Sequence, residues 1–523
     1  MEYYISVALI ALAAIQTAII SMPMLKIIQL SGYKSRGVFA WWKSTNYDVL
    51  IRYSALMLFG FITEICFITC FNAFEWVRYC AVAFYCIFAI VFFVSIKNGA
   101  NRIKFTGRMI RLFIVNLIIQ LVLGGGIAVA TYYSMYCQTL TAALGIFTPF
   151  VALLANIITC PLEKLNNLRY VKRAKNKLKE KSPIVIGITG SYGKTTAKNL
   201  LKSMLESKYS VLATPGSFNT PMGVCKTINN SLNSEQIFIA EMGARYKGDI
   251  KELCDIVCPM YGIITAVGDM HSETMGTRAD IADVKYELAL AIPNSGLLAL
   301  NGYNADCKAL AERNPACKVK VAGEGESVKY ENLVIDARGT SFELVAGDKK
   351  QHVTTKLLGA HIAETVCVCA AVALSLGVEL ETIASAVSAA QPVEHRLQLL
   401  DSGTAVTVID DAFNANPIGA KNALDVLKRF EGTKIIITPG FVELGALEKP
   451  SNVELGRQIS EVCDYALLVG SRATDIKSGA VKNGMEESKI MTFASRDLAV
   501  EALKNIDGNK TVLFENDLPD NIV

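Results

Sequence analysis

Hydrophobic positions change their pattern part-way along the chain. Up to residue 160 they form long runs with few charges; from Ser182 onward, short β-branched runs alternate with helical stretches. A helix needs ~20 apolar residues to cross a bilayer. Five stretches meet that length: Tyr4–Ile28, Leu50–Phe71, Val77–Ile96, Ile110–Met135 and Thr139–Cys160. They predict an N-terminal all-α transmembrane bundle over residues 1–160. The first stretch lacks the basic start and small-residue cleavage site of a signal peptide, so it reads as an anchor. Glu64 is the one clear ionisable residue inside a span, and such residues often mark function.

Beyond the apolar part, strands and helices alternate. Ile184–Thr189 precedes Thr195–Ser207, Ile237–Ala240 precedes a helix, and Tyr261–Ala266 precedes Ala279–Ala291. A second series has strands at Ala405–Ile409, Lys434–Thr438, Tyr465–Val469 and Thr511–Phe514. This alternation predicts parallel sheets with helices on their faces. The break falls near Gln391–Pro392. The chain therefore divides into a basic linker over 161–182, a central α/β domain over 183–391 and a Rossmann-like C-terminal α/β domain over 392–523.

Charge adds orientation. The 52 basic and 48 acidic residues leave a net charge of only +4, too little to point to nucleic acid. Lys34, Arg36 and Lys43 occupy the first connection between spans; Lys97, Arg102, Lys104 and Arg108 occupy the third; a run from Lys164 to Lys181 follows the last. Basic connections stay on the cytoplasmic side. That places the N-terminus outside and everything after Cys160 in the cytosol. The 14 cysteines show no paired zinc spacing and read as small buried hydrophobes.

The chemistry concentrates at the first strand–helix junction, Gly187-Ile188-Thr189-Gly190-Ser191-Tyr192-Gly193-Lys194-Thr195-Thr196. Glycines let backbone N–H groups curl around phosphate oxygens, and the helix N-terminus adds partial positive charge. Lys194 is placed to meet the β/γ-phosphates of ATP, and the Thr195 hydroxyl to hold Mg²⁺. The spacing departs from the common phosphate loop, because Ile188 stands where that loop has its first glycine. Gly190, Ser191, Gly193, Lys194, Thr195 and Thr196 are the candidate ATP-binding residues.

This loop resembles that of the Mur ligase family, which also includes folylpolyglutamate synthases. Later segments sharpen the likeness toward its MurF branch: Thr214–Gly223, Glu241-Met242-Gly243-Ala244, His271 with Lys285 following, Pro392–Leu397, Asp410–Pro417 and Glu443-Leu444-Gly445. The resemblance runs from Pro183 nearly to the end. It implies an ATP-dependent carbon–nitrogen ligase of peptidoglycan and cell-wall synthesis in a bacterial cell. ATP would phosphorylate an acceptor carboxylate, and an amino acid or short peptide amine would attack the acyl phosphate. It further implies a second Mg²⁺ held by Glu241, His271 and a carbamylated Lys285. Arg396, Asp410 and Asn414 would contact the nucleotide from the C-terminal domain.

Several positions depart from that pattern. The family's Gly-x-His-Asn-x-x-Asn reads Gly359-Ala360-His361-Ile362-Ala363-Glu364-Thr365 here, with Ile362 and Thr365 replacing both asparagines. Phe413 stands for Tyr, Asn452 for His, and Glu515-Asn516-Asp517 for a Lys-Gly-Ser stretch; the last three sites tend to face the incoming amine. The residues between the last span and the ATP loop are too few for the family's N-terminal substrate domain. The membrane half is therefore expected to replace it, with membrane lipid around it and a lipid-linked or membrane-proximal acceptor beside it. Alternatives are a poly-γ-glutamate-type amino-acid polymerising ligase and a non-catalytic membrane-anchored nucleotide sensor.

Overall fold

The computed structural model describes residues 103–130, 147–270, 272–401, 406–413, 416–442 and 444–516, with parts of 18–39. The chain forms two compact units, Met1–Arg169 and Tyr170–Val523. The predicted spans over 50–71 and 77–96, Glu64 among them, lie outside the described residues.

In the first unit, Met22, Leu25 and Ile28 of the helix Met22–Leu30 share one core with Met109 and Leu112 and with Ala152 and Ala155. Asn116 Nδ2 donates to Ser21 Oγ at 2.7 Å, which satisfies two polar groups within this apolar packing. The helices Gly107–Gly126 and Thr148–Lys181 are long and apolar enough to cross a membrane, by length and composition. Ile110, Ile114, Ile118 and Val122 recur every four residues and stand exposed, as do Phe150, Leu154, Ile157 and Ile158. The predicted linker over 161–182 is instead helical, inside Thr148–Lys181. Its Lys, Arg, Leu and Ala residues are strong helix formers, and no glycine interrupts them.

The second unit holds two sheets. The first contains β1 (Ile184–Thr189), β2 (Val211–Ala213), β3 (Ile237–Glu241), β4 (Tyr261–Ile264), β5 (Leu297–Asn301), β6 (Lys318–Ala322), β7 (Val328–Asp336), β8 (Gly339–Ala346) and β9 (Lys349–Thr355). Their order is β2-β3-β1-β4-β5-β6-β7-β8-β9. The first six are parallel, as predicted. Ile186 and Ile188 pack on one face against Leu200, Leu201 and Met204 and against the helix Ala360–Ser375. Val185, Phe238, Ile264 and Leu298 pack on the other face with Ile228, Leu253 and Leu288. Burial on both faces explains the near-continuous apolar character of β1 and β3. The antiparallel meander β7–β8–β9 has no counterpart in the predicted pattern.

The second sheet contains β10 (Gln398–Asp401), β11 (Val406–Asp411), β12 (Thr433–Thr438), β13 (Tyr465–Val469), β14 (Ile490–Phe493) and β15 (Lys510–Glu515), in the order β10-β11-β15-β12-β13-β14. Only β10 runs antiparallel. Each of the four predicted strands is present with its ends shifted by at most two residues.

Candidate active site

In open parallel sheets, ligands bind at the carboxyl ends of the strands. Here β1 leads directly into the phosphate loop. Gly190 adopts φ +153°, and a Cβ there would lie 2.0 Å from Thr265 Oγ1 and 3.0 Å from Ala266 N. Only glycine allows this approach between the loop and the segment following β4. Gly193, at φ +77°, opens the helix Lys194–Glu206. The Ser191 hydroxyl donates to Gly268 O at 3.0 Å and accepts from Gly268 N at 3.0 Å, so it ties the loop down. Lys194 Nζ folds over the loop and donates to Gly190 O at 2.6 Å and Ser191 O at 3.2 Å. Burial pushes the Lys194 pKa down to about 8, with Glu241 opposing the shift and Arg396 adding to it.

Glu241 ends β3 and is buried. Its Oε2 accepts from Thr195 Oγ1 at 3.1 Å and pairs with Lys198 Nζ at 2.9 Å; its Oε1 accepts from Asn219 Nδ2 at 3.2 Å. Lys198 Nζ also donates to Gly216 O at 2.5 Å. Lys198 was absent from the predicted site, although its spacing four residues after Lys194 puts it on the same helix face. A hydroxyl and a carboxylate are hard oxygen donors of the kind Mg²⁺ prefers. The donor set at Thr195 and Glu241 therefore fits that ion.

Lys285 lies on the helix Arg278–Ala291, whose start is fixed by a reciprocal capping box between Thr277 and Asp280. The residue is only 2% exposed. Its amine has no hydrogen-bond or ion-pair partner among the described residues. Burial pushes its pKa down to about 7; the Lys194 charge acts in the same direction, and Asp249 and Glu287 oppose it. Burial thus favours the neutral form of this amine. His271 lies outside the described residues.

The C-terminal domain contributes Arg396, whose guanidinium stands 4.4 Å from the Phe413 ring centroid. Burial lowers its pKa, and the Asp411 and Glu241 charges oppose the shift. Of the two neighbouring aspartates, Asp410 is engaged with His395, and Asp411, which the sequence pattern did not single out, faces the cleft. Asp410 Oδ2 meets His395 Nδ1 at 2.7 Å and its Oδ1 accepts from Ala412 N at 3.1 Å, whereas Asp411 lines the cleft. Neighbouring strand residues point to opposite faces, which accounts for the difference between them. Burial pushes the Asp411 pKa up to about 6. Glu515, its register partner on β15, is raised further by burial and by Asp411. Asn414 lies outside the described residues. Asn416 Oδ1 caps the helix Pro417–Leu427 through Ile418 N and Gly419 N. Two expected amine-facing positions are corrected. Asn452 is fully buried and, among the described residues, its side chain bonds the backbone of Phe441 and Glu448, and Glu515 is fully buried.

Between the two domains lies a cleft lined by Tyr192, Thr196, Asn301, His361, Glu364 and Arg396, among others. Ile362 and Thr365 also line it. Ile362 joins the apolar core, and the Thr365 hydroxyl donates to His361 O at 2.7 Å. His361 Nδ1 is buried without a partner among the described residues, and burial holds the ring's pKa down at about 4.

Comparison with known proteins agrees with this arrangement. The Mur ligase middle domain matches residues 188–373, and the Mur ligase glutamate ligase domain matches 395–515. The UDP-N-acetylmuramoyl-tripeptide–D-alanyl-D-alanine ligase of Mycobacterium tuberculosis is 37% identical over 246 residues, 46% of this chain and 48% of that one. The chain thus spans about half the length of the first curated relatives it matches. Crystal structures of MurF from Acinetobacter baumannii superpose with a TM-score of 0.62 at 26% identity, covering 67% of this chain and 77% of that one. The MurF ligase of Thermotoga maritima, solved in complex with ADP, gives 0.61 at 26% identity over 68% and 81%. With both domains matched in order around one phosphate loop, the chain belongs to the Mur ligase family and groups with its MurF members.

Proposed function

We propose that this protein is an ATP-dependent ligase that joins an amine to a carboxylate in peptidoglycan synthesis. The observation that carries the reading is the convergence of Lys194, Thr195, Glu241 and the Lys285 amine, which has no partner among the described residues, at the carboxyl edge of one sheet. A carboxylate oxygen of the acceptor attacks the γ-phosphorus of ATP, and ADP leaves. The amine then attacks the acyl carbon; the carbon–oxygen bond breaks, phosphate leaves carrying that oxygen, and the amine loses a proton. Two anions must meet in the first step, so positive charge at the phosphates dominates the barrier. Lys194 supplies that charge, and Arg396 adds to it from the other domain. Thr195 and Glu241, with His271, would hold Mg²⁺, which neutralises phosphate charge when bound. A neutral Lys285 amine can add carbon dioxide, and the resulting carbamate would give that site another anionic oxygen ligand.

The finer reading is that residues 1–160 form a membrane anchor and that the acceptor is membrane-proximal or lipid-linked. The exposed stripe Ile110, Ile114, Ile118 and Val122 supports it, since a stripe of that kind in water would be an aggregation liability. Activity of the full chain in detergent should be compared with that of a chain lacking residues 1–160. The substrates would be the soluble UDP-N-acetylmuramoyl-tripeptide with D-alanyl-D-alanine and, separately, extracted membrane lipid with amino acids. Lipid-dependent product lost on truncation supports the finer reading. Equal turnover of the soluble pair by both chains refutes it and leaves the ligase in place.

A further inference from the structure

We propose that Glu364 reads the nucleotide base, by accepting a hydrogen bond from the exocyclic amino group of adenine. The inference rests on the ATP site described above. Glu364 is the fifth residue of the helix Ala360–Ser375 and lines the cleft with Tyr192, Asn301 and His361. Its hydrogen-bonding capacity is largely unused. Oε2 lies 3.5 Å from Asn301 Nδ2, the weak limit of such a bond, and Oε1 has no partner among the described residues. A carboxylate half-withdrawn from water with open lone pairs is costly unless a donor arrives.

Several neighbouring side chains are already engaged, although His361 Nδ1, which also lines the cleft, has no partner among the described residues. Asn301 Nδ2 already donates to Thr265 O at 3.0 Å, and Asn301 Oδ1 accepts from Tyr303 N at 3.1 Å. The Thr365 hydroxyl is turned into its own helix. Ile362 has no polar atom, and the Tyr192 hydroxyl is held by Asn304 Nδ2 at 3.1 Å. A ligand whose edge carries an amino group answers the open acceptor. Thr196 and Gly193 line the same cleft, which joins it to the phosphate loop and makes a nucleotide base the group that reaches it. Glu364 replaces no missing asparagine in register; it takes over recognition from an adjacent position on the same turn.

The test is direct nucleotide binding to the full chain in detergent, with no acceptor or amine present. ATP is compared with purine riboside triphosphate, which lacks the 6-amino group. A hydrogen bond to a charged group is worth roughly tenfold or more in affinity. The wild-type protein is expected to prefer ATP by about that factor. Glu364→Leu should bind both nucleotides equally, at the affinity of the wild-type for the analogue, and Glu364→Gln, which keeps an acceptor oxygen, should keep most of the preference. Equal binding of both nucleotides by the wild-type protein overturns the proposal even if Glu364→Leu does not fold, and so does undiminished preference in Glu364→Leu. A wild-type chain that binds neither nucleotide overturns this proposal and the ATP site together. Selective binding without ligase activity sinks only the proposed reaction.

Discussion

Lys198→Met breaks the buried ion pair beside the phosphate loop. Lys198 and Glu241 are each only 2% exposed at the side chain, with 2.9 Å between charged atoms. Removing one member of such a pair leaves the other charge buried, at a cost of ~3–5 kcal/mol. Glu241 would keep two neutral donors, Thr195 and Asn219, each contributing about 1 kcal/mol, so a loss near the lower bound, about 3 kcal/mol, is expected. The lost contact to Gly216 O should also loosen the segment after β2. Trp41, Trp42 and Trp76, the only tryptophans, precede the second unit. Urea-dependent hydrogen exchange of peptides covering β1 and β3 is therefore the suitable assay. Glu241→Gln should be similarly destabilising, and the double variant should lose clearly less than the sum of the two, because neither charge is then stranded. A loss below about 1 kcal/mol in Lys198→Met, or strict additivity, refutes the reasoning.

Further outcomes follow from the same geometry. Gly190→Ala should lose nucleotide binding by at least about tenfold, since its Cβ would collide with Thr265 and crowd Ala266 N; calorimetry with ATP checks this. Lys285→Ala should lose phosphate release, and short carboxylic acids should restore part of it if a carbamate is the working form; no rescue, with normal nucleotide binding, counts against that form. His361 titrates near 4 when folded and near 6.5 when unfolded, so between these values the unfolded chain binds more protons. Its contribution to stability therefore falls as pH drops through that window, by roughly 3 kcal/mol at pH 4. Urea midpoints of His361→Leu should fall less than those of the wild type between pH 7 and pH 4, and parallel curves would contradict this.

Much of the site was readable locally, and the remainder was not, for identifiable reasons. The phosphate loop was open to reading because strand, glycines and Gly-Lys-Thr are contiguous, and the parallel pairing of β1 to β6 follows from the alternation of strands and helices. Lys198 was missed because a lysine on an amphipathic helix ordinarily faces water; its role depends on the end of β3, more than 40 residues away, presenting Glu241 to it. Asp410 was singled out and its neighbour Asp411 was not, since a one-residue difference in register decides which face a strand residue takes. The meander β7–β9 was overlooked because its alternation is weak: β9 carries Lys349, Lys350, Gln351 and His352 in succession. Asn452 looked like a substrate-facing substitution, yet its amide is consumed by the backbone of Phe441 and Glu448.

The central claim, carboxylate activation by ATP, is most directly tested with an acceptor labelled with ¹⁸O in its carboxylate. Full chain in detergent would be supplied with Mg²⁺, ATP, labelled acceptor and amine, and the released phosphate analysed by mass spectrometry, with Lys194→Ala as control. One ¹⁸O in each phosphate, formed only when acceptor and amine are both present and absent with Lys194→Ala, is the predicted result. Unlabelled phosphate, or release indifferent to the acceptor, would contradict it.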